Sequence, residues 1–182
     1  MQLENNLLEA LALVRQKEEL ASIIECNTFT QEFGLVLSAE DAKMLVESRN
    51  DSLKTYQRVE FGKGILDKLI YQFCDSEYIN QSNYMNTLIE LQDAFYLYKN
   101  ESLDLLTDDE LLNFMKEQFE NICFGDVDYL TNTCLERFSR AVRAGYKEHQ
   151  KTGGTKVYDL LDEEQRWDKD LYLQVLTELC WR

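Results

Sequence analysis

Apolar residues recur along most of this chain at intervals of three and four, the spacing that places side chains on one face of an α-helix. Leu3, Leu7 and Leu11 begin this pattern and predict an amphipathic helix that ends near Cys26. The same periodicity predicts further helices over residues 42–56, 62–74, 84–98, 107–122, 126–150 and 162–180. We therefore predict a mainly α fold, a single-domain bundle of about six or seven helices over residues 1–182, with a candidate hinge at 153–154.

Two short segments depart from the helical pattern. Residues 34–37 are apolar after an initial glycine, and residues 58–62 alternate between polar and apolar side chains. Alternation of this kind is typical of a strand with one buried face. The two segments are therefore the candidates for a minor two-strand element.

Two of the predicted helices have clear starting points. Ser38 is followed by Asp41 three residues later, and Thr107 is followed by Glu110 at the same spacing. A hydroxyl residue and an acid in this arrangement can cap each other's backbone N–H groups at a helix N-terminus. We therefore expect helices to begin immediately after Ser38 and Thr107.

The composition agrees with a helical fold, and the net charge indicates which classes of partner the protein can bind. The 182-residue chain contains no proline and 7 glycines, fewer than turn-rich sheet proteins usually need. Its formal net charge of −15 argues against nucleic acid as the principal partner and favours basic surfaces. The charge is uneven, because residues 61–130 hold 14 acidic and 4 basic side chains, whereas residues 131–158 hold 2 acidic and 6 basic ones.

The cysteines and the N-terminal residues predict a cytoplasmic protein without a metal or cofactor. Five cysteines are scattered without a CxxC pair, and the chain has one histidine, so a clustered metal site is not expected. The first residues lack the basic stretch of a signal peptide, and no apolar run is long enough to cross a membrane. We therefore expect reduced thiols, no membrane association and no catalytic centre of a recognised type.

Arg49 lies in the middle of the apolar stripe predicted for residues 42–56. A buried guanidinium is costly unless it meets a negative charge. One interpretation is a binding site for an anion or small molecule, in a sensor or an enzyme, formed by Arg49, Asn50 and Glu60. The other is an internal salt bridge from Arg49 to Glu60 or to an acid within 101–110.

A stripe of basic residues follows one face of the helix predicted over 126–150. It is a candidate docking face for an acidic partner or phosphate and, with less support, for nucleic acid. The alternative is a solvated face that complements the acidic middle of the chain. The stripe consists of Arg137, Arg140, Arg143, Lys147 and Lys151.

The helix predicted over 84–98 carries more aromatic residues than one core stripe requires. Tyr84, Phe95 and Tyr98 lie on its inward seam, and Tyr96 lies beside them. We therefore expect an exposed aromatic patch on this helix, of the kind that binds other proteins. The sequence favours a non-enzymatic protein-interaction or regulatory module, with a homo-oligomer as one form of that interaction.

Several stretches between residues 33 and 143 resemble a family of unknown function from Gram-positive anaerobic bacteria. They include Arg49-Asn50, residues 59–62, Phe73-Cys74 and residues 108–111, together with Gly34-Leu35, Asp41-Ala42 and residues 99–102. The resemblance implies no activity, ligand or catalytic residue.

Overall fold

The computed structural model describes residues 2–60 and 64–144, with the side chains of residues 14–60 and 64–144. A 3₁₀ turn, Gln31–Phe33, follows the short helix Asn27–Thr30. A π-helix, Leu130–Leu135, lies between the helices Val127–Tyr129 and Glu136–Arg143. Within the described ranges the chain has no strand, which confirms the mainly α fold. The α-helices are α1 Gln2–Glu25, α2 Asn27–Thr30, α3 Ala39–Thr55, α4 Leu66–Phe73, α5 Tyr84–Glu101, α6 Asp108–Asn121, α7 Val127–Tyr129 and α8 Glu136–Arg143.

Helix α5 is the centre of the bundle. It packs against α3, α4, α6 and α8, so its side chains are covered on several sides. All four aromatic residues of the sequence-based prediction are buried, and Tyr98, the most exposed of them, exposes only 6% of its surface. The expected aromatic patch on this helix is therefore wrong, because a helix surrounded by others needs more than one apolar stripe.

Both predicted capping boxes are present. The Ser38 hydroxyl accepts the Asp41 backbone N–H at 3.1 Å, and the Asp41 carboxylate accepts the Ser38 N–H at 2.8 Å. Thr107 and Glu110 make the same reciprocal pair, at 3.2 and 2.7 Å. These local contacts fix the first residues of α3 and α6 and each stabilise the fold by about 1 kcal/mol.

The minor two-strand element is wrong for the described residues. The Gln81 side chain bonds both the N–H and the carbonyl of Val36, each at 2.8 Å. The Asn27 side chain makes the same pair of bonds with Leu37, also at 2.8 Å. Two side-chain amides therefore satisfy the backbone groups that a partner strand would have bonded, and residues 58–60 have no strand conformation.

Helix α4 is shorter than the periodicity predicts, because it begins at Leu66 and not near residue 62. Gly64 has a φ of +67°, in the left-handed region that favours glycine. A Cβ atom at this position would lie 2.1 Å from the Glu60 Oε2 atom. The Glu60 carboxylate is the end of a flexible side chain and could move, so it is the left-handed backbone that favours glycine here.

Residues 127–143 are helical, as the periodicity predicts, although α7, the π-helix and α8 replace one regular helix. The remainder of that predicted helix, the helix over 162–180 and the candidate hinge at 153–154 lie outside the described residues. Among the helices that the structure describes, none combines the length and the apolar character needed to cross a bilayer.

Candidate functional site

Arg49 is buried between α1 and α3, with 5% of its surface exposed. Its Nη2 atom donates to Glu19 Oε2 at 2.9 Å and to Asn50 Oδ1 at 3.1 Å. Glu19 belongs to α1, so this ion pair links two helices through residues that are 30 positions apart in sequence. The buried guanidinium thus meets a carboxylate of the same chain, which removes the cost of an uncompensated charge.

Glu60 is a second carboxylate near the same guanidinium. The Arg49 Nε atom is 4.0 Å from Glu60 Oε2, an ion-pair contact that is too long for a hydrogen bond. The other carboxylate oxygen accepts a 2.6 Å hydrogen bond from the Tyr96 hydroxyl of α5. Burial, and then this bond to Glu60, raise the pKa of Tyr96, so its hydroxyl remains a proton donor.

We refer to Glu19, Arg49, Asn50, Glu60 and Tyr96 as the Arg49 cluster. The structure brings together the three residues that the sequence selected and adds two that it missed. An open anion site would need a guanidinium without a protein carboxylate, whereas here two carboxylates approach it, one at Nη2 and one at Nε. The contacts therefore favour the internal salt bridge, which joins α1, α3 and α5.

Polar contacts continue along the interface between α3 and α5. The Ser52 hydroxyl and the Tyr56 hydroxyl donate to the two carboxylate oxygens of Asp93, at 2.9 and 3.0 Å. The Gln92 amide donates to the Ser48 hydroxyl at 3.2 Å. Burial, followed by the bond to Asp93, raises the pKa of Tyr56 to about 12. This side of α5 is therefore joined to α3 by polar side chains.

The basic stripe is partly neutralised by acids of the same chain. Arg140 pairs with Glu136 one helical turn earlier, and Arg143 Nη2 lies 2.7 Å from a carboxylate oxygen of Glu101 on α5. Arg137 also has an interaction partner. Lys147 and Lys151 lie outside the described residues. For Arg140 and Arg143, these contacts agree with the alternative that the stripe complements the chain's own acids.

An aromatic cluster does lie on the surface, at a place that the sequence did not indicate. Phe29 of α2 contacts Phe33 of the 3₁₀ turn, with ring centroids 5.5 Å apart, and Tyr71 of α4, with centroids 5.6 Å apart. The three residues expose 40%, 44% and 46% of their surface, respectively. We call them the surface aromatic cluster. Contacting rings with this much exposure are typical of a binding surface.

A local signal for this cluster was available in the sequence. Phe29 and Phe33 are four residues apart in an otherwise polar stretch, the spacing that places two side chains on one helical face. The stretch lies at a predicted helix break, where an exposed short helix was not expected. Tyr71 could not have been added without knowing that α4 lies beside α2.

Acidic side chains surround the surface aromatic cluster. Glu32 is adjacent to Phe33 in the 3₁₀ turn and is exposed. The pKa of Tyr71 is raised, mainly by a hydrogen bond with the Cys26 thiol and more weakly by the nearby charges of Asp67 and Glu25. The rings therefore lie within a negative part of the surface.

The described residues offer one further arrangement of reactive side chains, a pair of cysteines. In residues 2–60 and 64–144, no group of three or more histidine, cysteine, aspartate or glutamate side chains could hold a metal ion. Two cysteines, Cys123 and Cys134, have sulfur atoms 3.6 Å apart. The chain thus offers a closed charge cluster, an exposed aromatic cluster and a thiol pair.

Comparison with other proteins identifies a family. No curated protein and no solved structure gives a significant match to the chain. Residues 22–148 match a family of unknown function, DUF6323. The matched region includes the surface aromatic cluster and all of the Arg49 cluster except Glu19. Because this region is more than half of the chain, the protein belongs to the DUF6323 family.

Proposed function

We propose that the protein is a non-enzymatic interaction module, and that its surface aromatic cluster binds a basic, partly apolar segment of another protein. The observation that carries this proposal is the contact between three exposed rings on two different helices. The aromatic rings of α5, by contrast, are buried in the core. Exposed rings in contact supply apolar area to a partner at little cost in conformational entropy.

Charge selects the class of partner. Glu25 and Glu32 border the rings, and neither forms an ion pair with another residue in the described part of the chain. The whole chain carries a formal charge of −15. A second copy of the protein would bring like charges together, whereas a segment rich in lysine or arginine would be attracted. The proposed occupant is therefore a basic segment with apolar side chains.

The Arg49 cluster supports the non-enzymatic part of the proposal. Its guanidinium is engaged by Glu19, Asn50 and Glu60 and is buried, so a substrate would have to displace an internal ion pair. A small-molecule or anion site at Arg49 gains no support from these contacts. Because this cluster has a structural role, we assign the function to residues on the surface of the protein.

The experiment compares binding of a labelled model peptide with that of variants of the full chain. The probe is an amphipathic helix of lysine and leucine, and the reference probe has glutamate in place of lysine. The test variant is Phe29→Gln with Phe33→Gln, and the matched control is Met44→Gln on α3, which is also half-exposed at 47%. Fluorescence anisotropy gives the Kd in each case.

We expect the lysine peptide to bind the wild-type chain and the Met44 variant equally. The double phenylalanine variant should bind at least about tenfold more weakly, because aromatic anchors dominate such interfaces. Glu32→Lys should weaken binding as well, and the glutamate peptide should not bind. Equal affinity of the double variant and the Met44 control would refute the proposal.

Sedimentation equilibrium tests the alternative occupant. We expect the wild-type chain and the double phenylalanine variant to have the same mass in solution. A wild-type dimer that dissociates in the double variant would identify a second copy as the occupant of the cluster, and would overturn the proposed basic partner.

We also propose that the protein is cytoplasmic and that it comes from a Gram-positive anaerobic bacterium, as the sequence resemblance implies. The four cysteines among the described residues are free thiols, which agrees with a reducing compartment. Fractionation of host cells should recover the protein with the cytoplasmic fraction. Recovery from the culture medium would contradict this location.

A further inference from the structure

Cys123 and Cys134 form a close pair of thiols at the junction of α6 and the π-helix. Their sulfur atoms are 3.6 Å apart, whereas the bonded distance in a disulfide is about 2.05 Å. Both thiols are free, and they are separated by 11 positions in sequence. A movement of about 1.5 Å would therefore allow a covalent bond.

The two cysteines have different surroundings. Cys123 is buried, and its carbonyl accepts the backbone N–H of the acidic residue Asp126 at 3.0 Å. Cys134 is partly exposed, and the positive charge of Arg137 lies near it. The nearby cation favours the thiolate form at Cys134, whereas burial and a nearby carboxylate favour the thiol form at Cys123.

The hydrogen bond between the sulfurs reinforces this difference. It lowers the pKa of Cys134 and, with burial, raises the pKa of Cys123. The charge of Arg137 lowers the pKa of Cys134 further, although burial opposes both effects. A thiolate at Cys134 thus has a protonated neighbour that can supply the second sulfur.

The backbone around the pair supports a small movement on one side only. On the Cys123 side, Gly125 has a φ of +84°, and a Cβ atom there would lie 2.5 Å from the Tyr78 Cβ atom, so this turn is fixed. On the other side, Cys134 lies within the π-helix Leu130–Leu135. A π-helix is a rare turn that is frequent at functional sites.

We propose that Cys134 and Cys123 are a peroxide-reactive thiol pair, in which Cys134 attacks a hydroperoxide and Cys123 completes a disulfide. The Cys134 thiolate attacks the terminal peroxide oxygen, the O–O bond breaks, and an alcohol leaves after taking up a proton. Cys134 becomes a sulfenic acid. Cys123 then attacks the Cys134 sulfur, and the hydroxyl group leaves as water with the Cys123 proton. Two thiols are oxidised and one hydroperoxide is reduced.

Mass spectrometry of the full chain tests the proposal directly. Trypsin cleaves after Lys116 and Arg137, so residues 117–137 form one peptide that contains both cysteines and no others. The intact chain is treated with hydrogen peroxide, free thiols are then blocked, and the protein is digested. We expect this peptide to lose two hydrogen atoms and to take up no blocking reagent.

Variants assign the two roles. In Cys123→Ser, a dimedone label should appear on Cys134, because its sulfenic acid persists without the second thiol. In Cys134→Ser, oxidation of Cys123 should be at least about tenfold slower than oxidation of Cys134 in the wild type, because Cys123 is the buried thiol form. Cys74→Ser, which removes another buried free thiol, is the matched control and should form the disulfide as the wild type does.

Three results would overturn the proposal. In the first, the 117–137 peptide keeps both thiols while Cys26 or Cys74 is oxidised. In the second, Cys134 forms a disulfide with Cys180. In the third, dimedone labels a cysteine other than Cys134. If the serine variants do not fold, the wild-type peptide mass still decides, because it requires no substitution. The result is also independent of the proposed docking function, which involves none of these residues.

Discussion

The Arg49 cluster and the surface aromatic cluster depart from the usual distribution of residues in opposite directions. Arg49 places a charge inside the molecule, whereas Phe29, Phe33 and Tyr71 place aromatic rings outside it. The charge has internal ion-pair partners in Glu19 and Glu60, whereas the two phenylalanine rings have ring contacts only within their exposed cluster. An unusual residue with internal partners is explained by the fold, and one without them requires an external explanation.

The comparison predicts its largest effect at Arg49. Arg49→Met keeps the apolar stem but removes the cation that Glu60 faces, and it leaves the partly buried Glu19 with only the more exposed Arg15 as an ion-pair partner. We expect the free energy of unfolding to fall by about 3 kcal/mol or more, because one partner of a buried ion pair is lost. Urea denaturation measures this change.

Lys54→Met on the same helix is the matched control for Arg49. Lys54 also pairs with a carboxylate, Asp51 at 3.0 Å, but both side chains are exposed. Its loss should therefore change stability by no more than about 0.5 kcal/mol. Equal losses for the two variants would mean that the Arg49 ion pair contributes no more than a surface pair.

A smaller effect is expected where α3, the helix that carries Arg49, begins. Ser38→Ala removes the hydroxyl that accepts the Asp41 N–H, and we expect a loss of about 1 kcal/mol. Ser38→Asp retains a capping oxygen and should recover most of the stability. A loss equal to that of Arg49→Met would show that the cap and the buried charge are not separate contributions.

A feature was easier to predict from the sequence when the residues that form it are close together along the chain. The caps at Ser38 and Thr107 involve residues three positions apart, and the sequence predicted both. Arg49 was recognised as unusual from its own helix, but its partner Glu19 lies 30 residues earlier, and periodicity does not specify which helices are neighbours. The predicted strand at 34–37 failed for the same reason, because the Gln81 side chain that bonds Val36 is 45 residues away.

Helix α5 gives the same lesson at the level of burial. Its rings were correctly placed on a helix, yet an exposed aromatic patch was expected because a single buried stripe was assumed. The surrounding helices, α3, α4, α6 and α8, bury all of them. Sequence patterns specify which face of a helix is apolar, but the number of covered faces depends on the assembled bundle.

The polar side of α5 also predicts a pH dependence. The pKa of Tyr56 is about 12 in the folded protein and 10.0 ordinarily, because burial and the bond to Asp93 disfavour its anion. The folded state therefore holds this proton more tightly than the unfolded state. The stability that this proton contributes is complete below about pH 10 and is lost as the pH rises toward 12.

Tyr56→Phe should reduce the slope of the free energy of unfolding against pH in this range, measured by denaturation. An unchanged slope would contradict the assignment to Tyr56.

The smallest expected effect on stability concerns the surface aromatic cluster, and it completes the comparison. Phe29→Gln with Phe33→Gln removes two exposed rings whose only ring contacts are within the cluster. We expect the free energy of unfolding to change by less than about 1 kcal/mol, because surface substitutions outside caps and buried networks have small effects. Phe95→Ala, which removes a ring of α5 that is 1% exposed, should lower the free energy of unfolding by about 3–5 kcal/mol in the same urea assay.

A large loss of stability in the double variant would mean that these rings support the fold, and their exposure would then no longer indicate a partner. A small loss combined with weaker peptide binding would separate the function of the rings from the stability of the bundle.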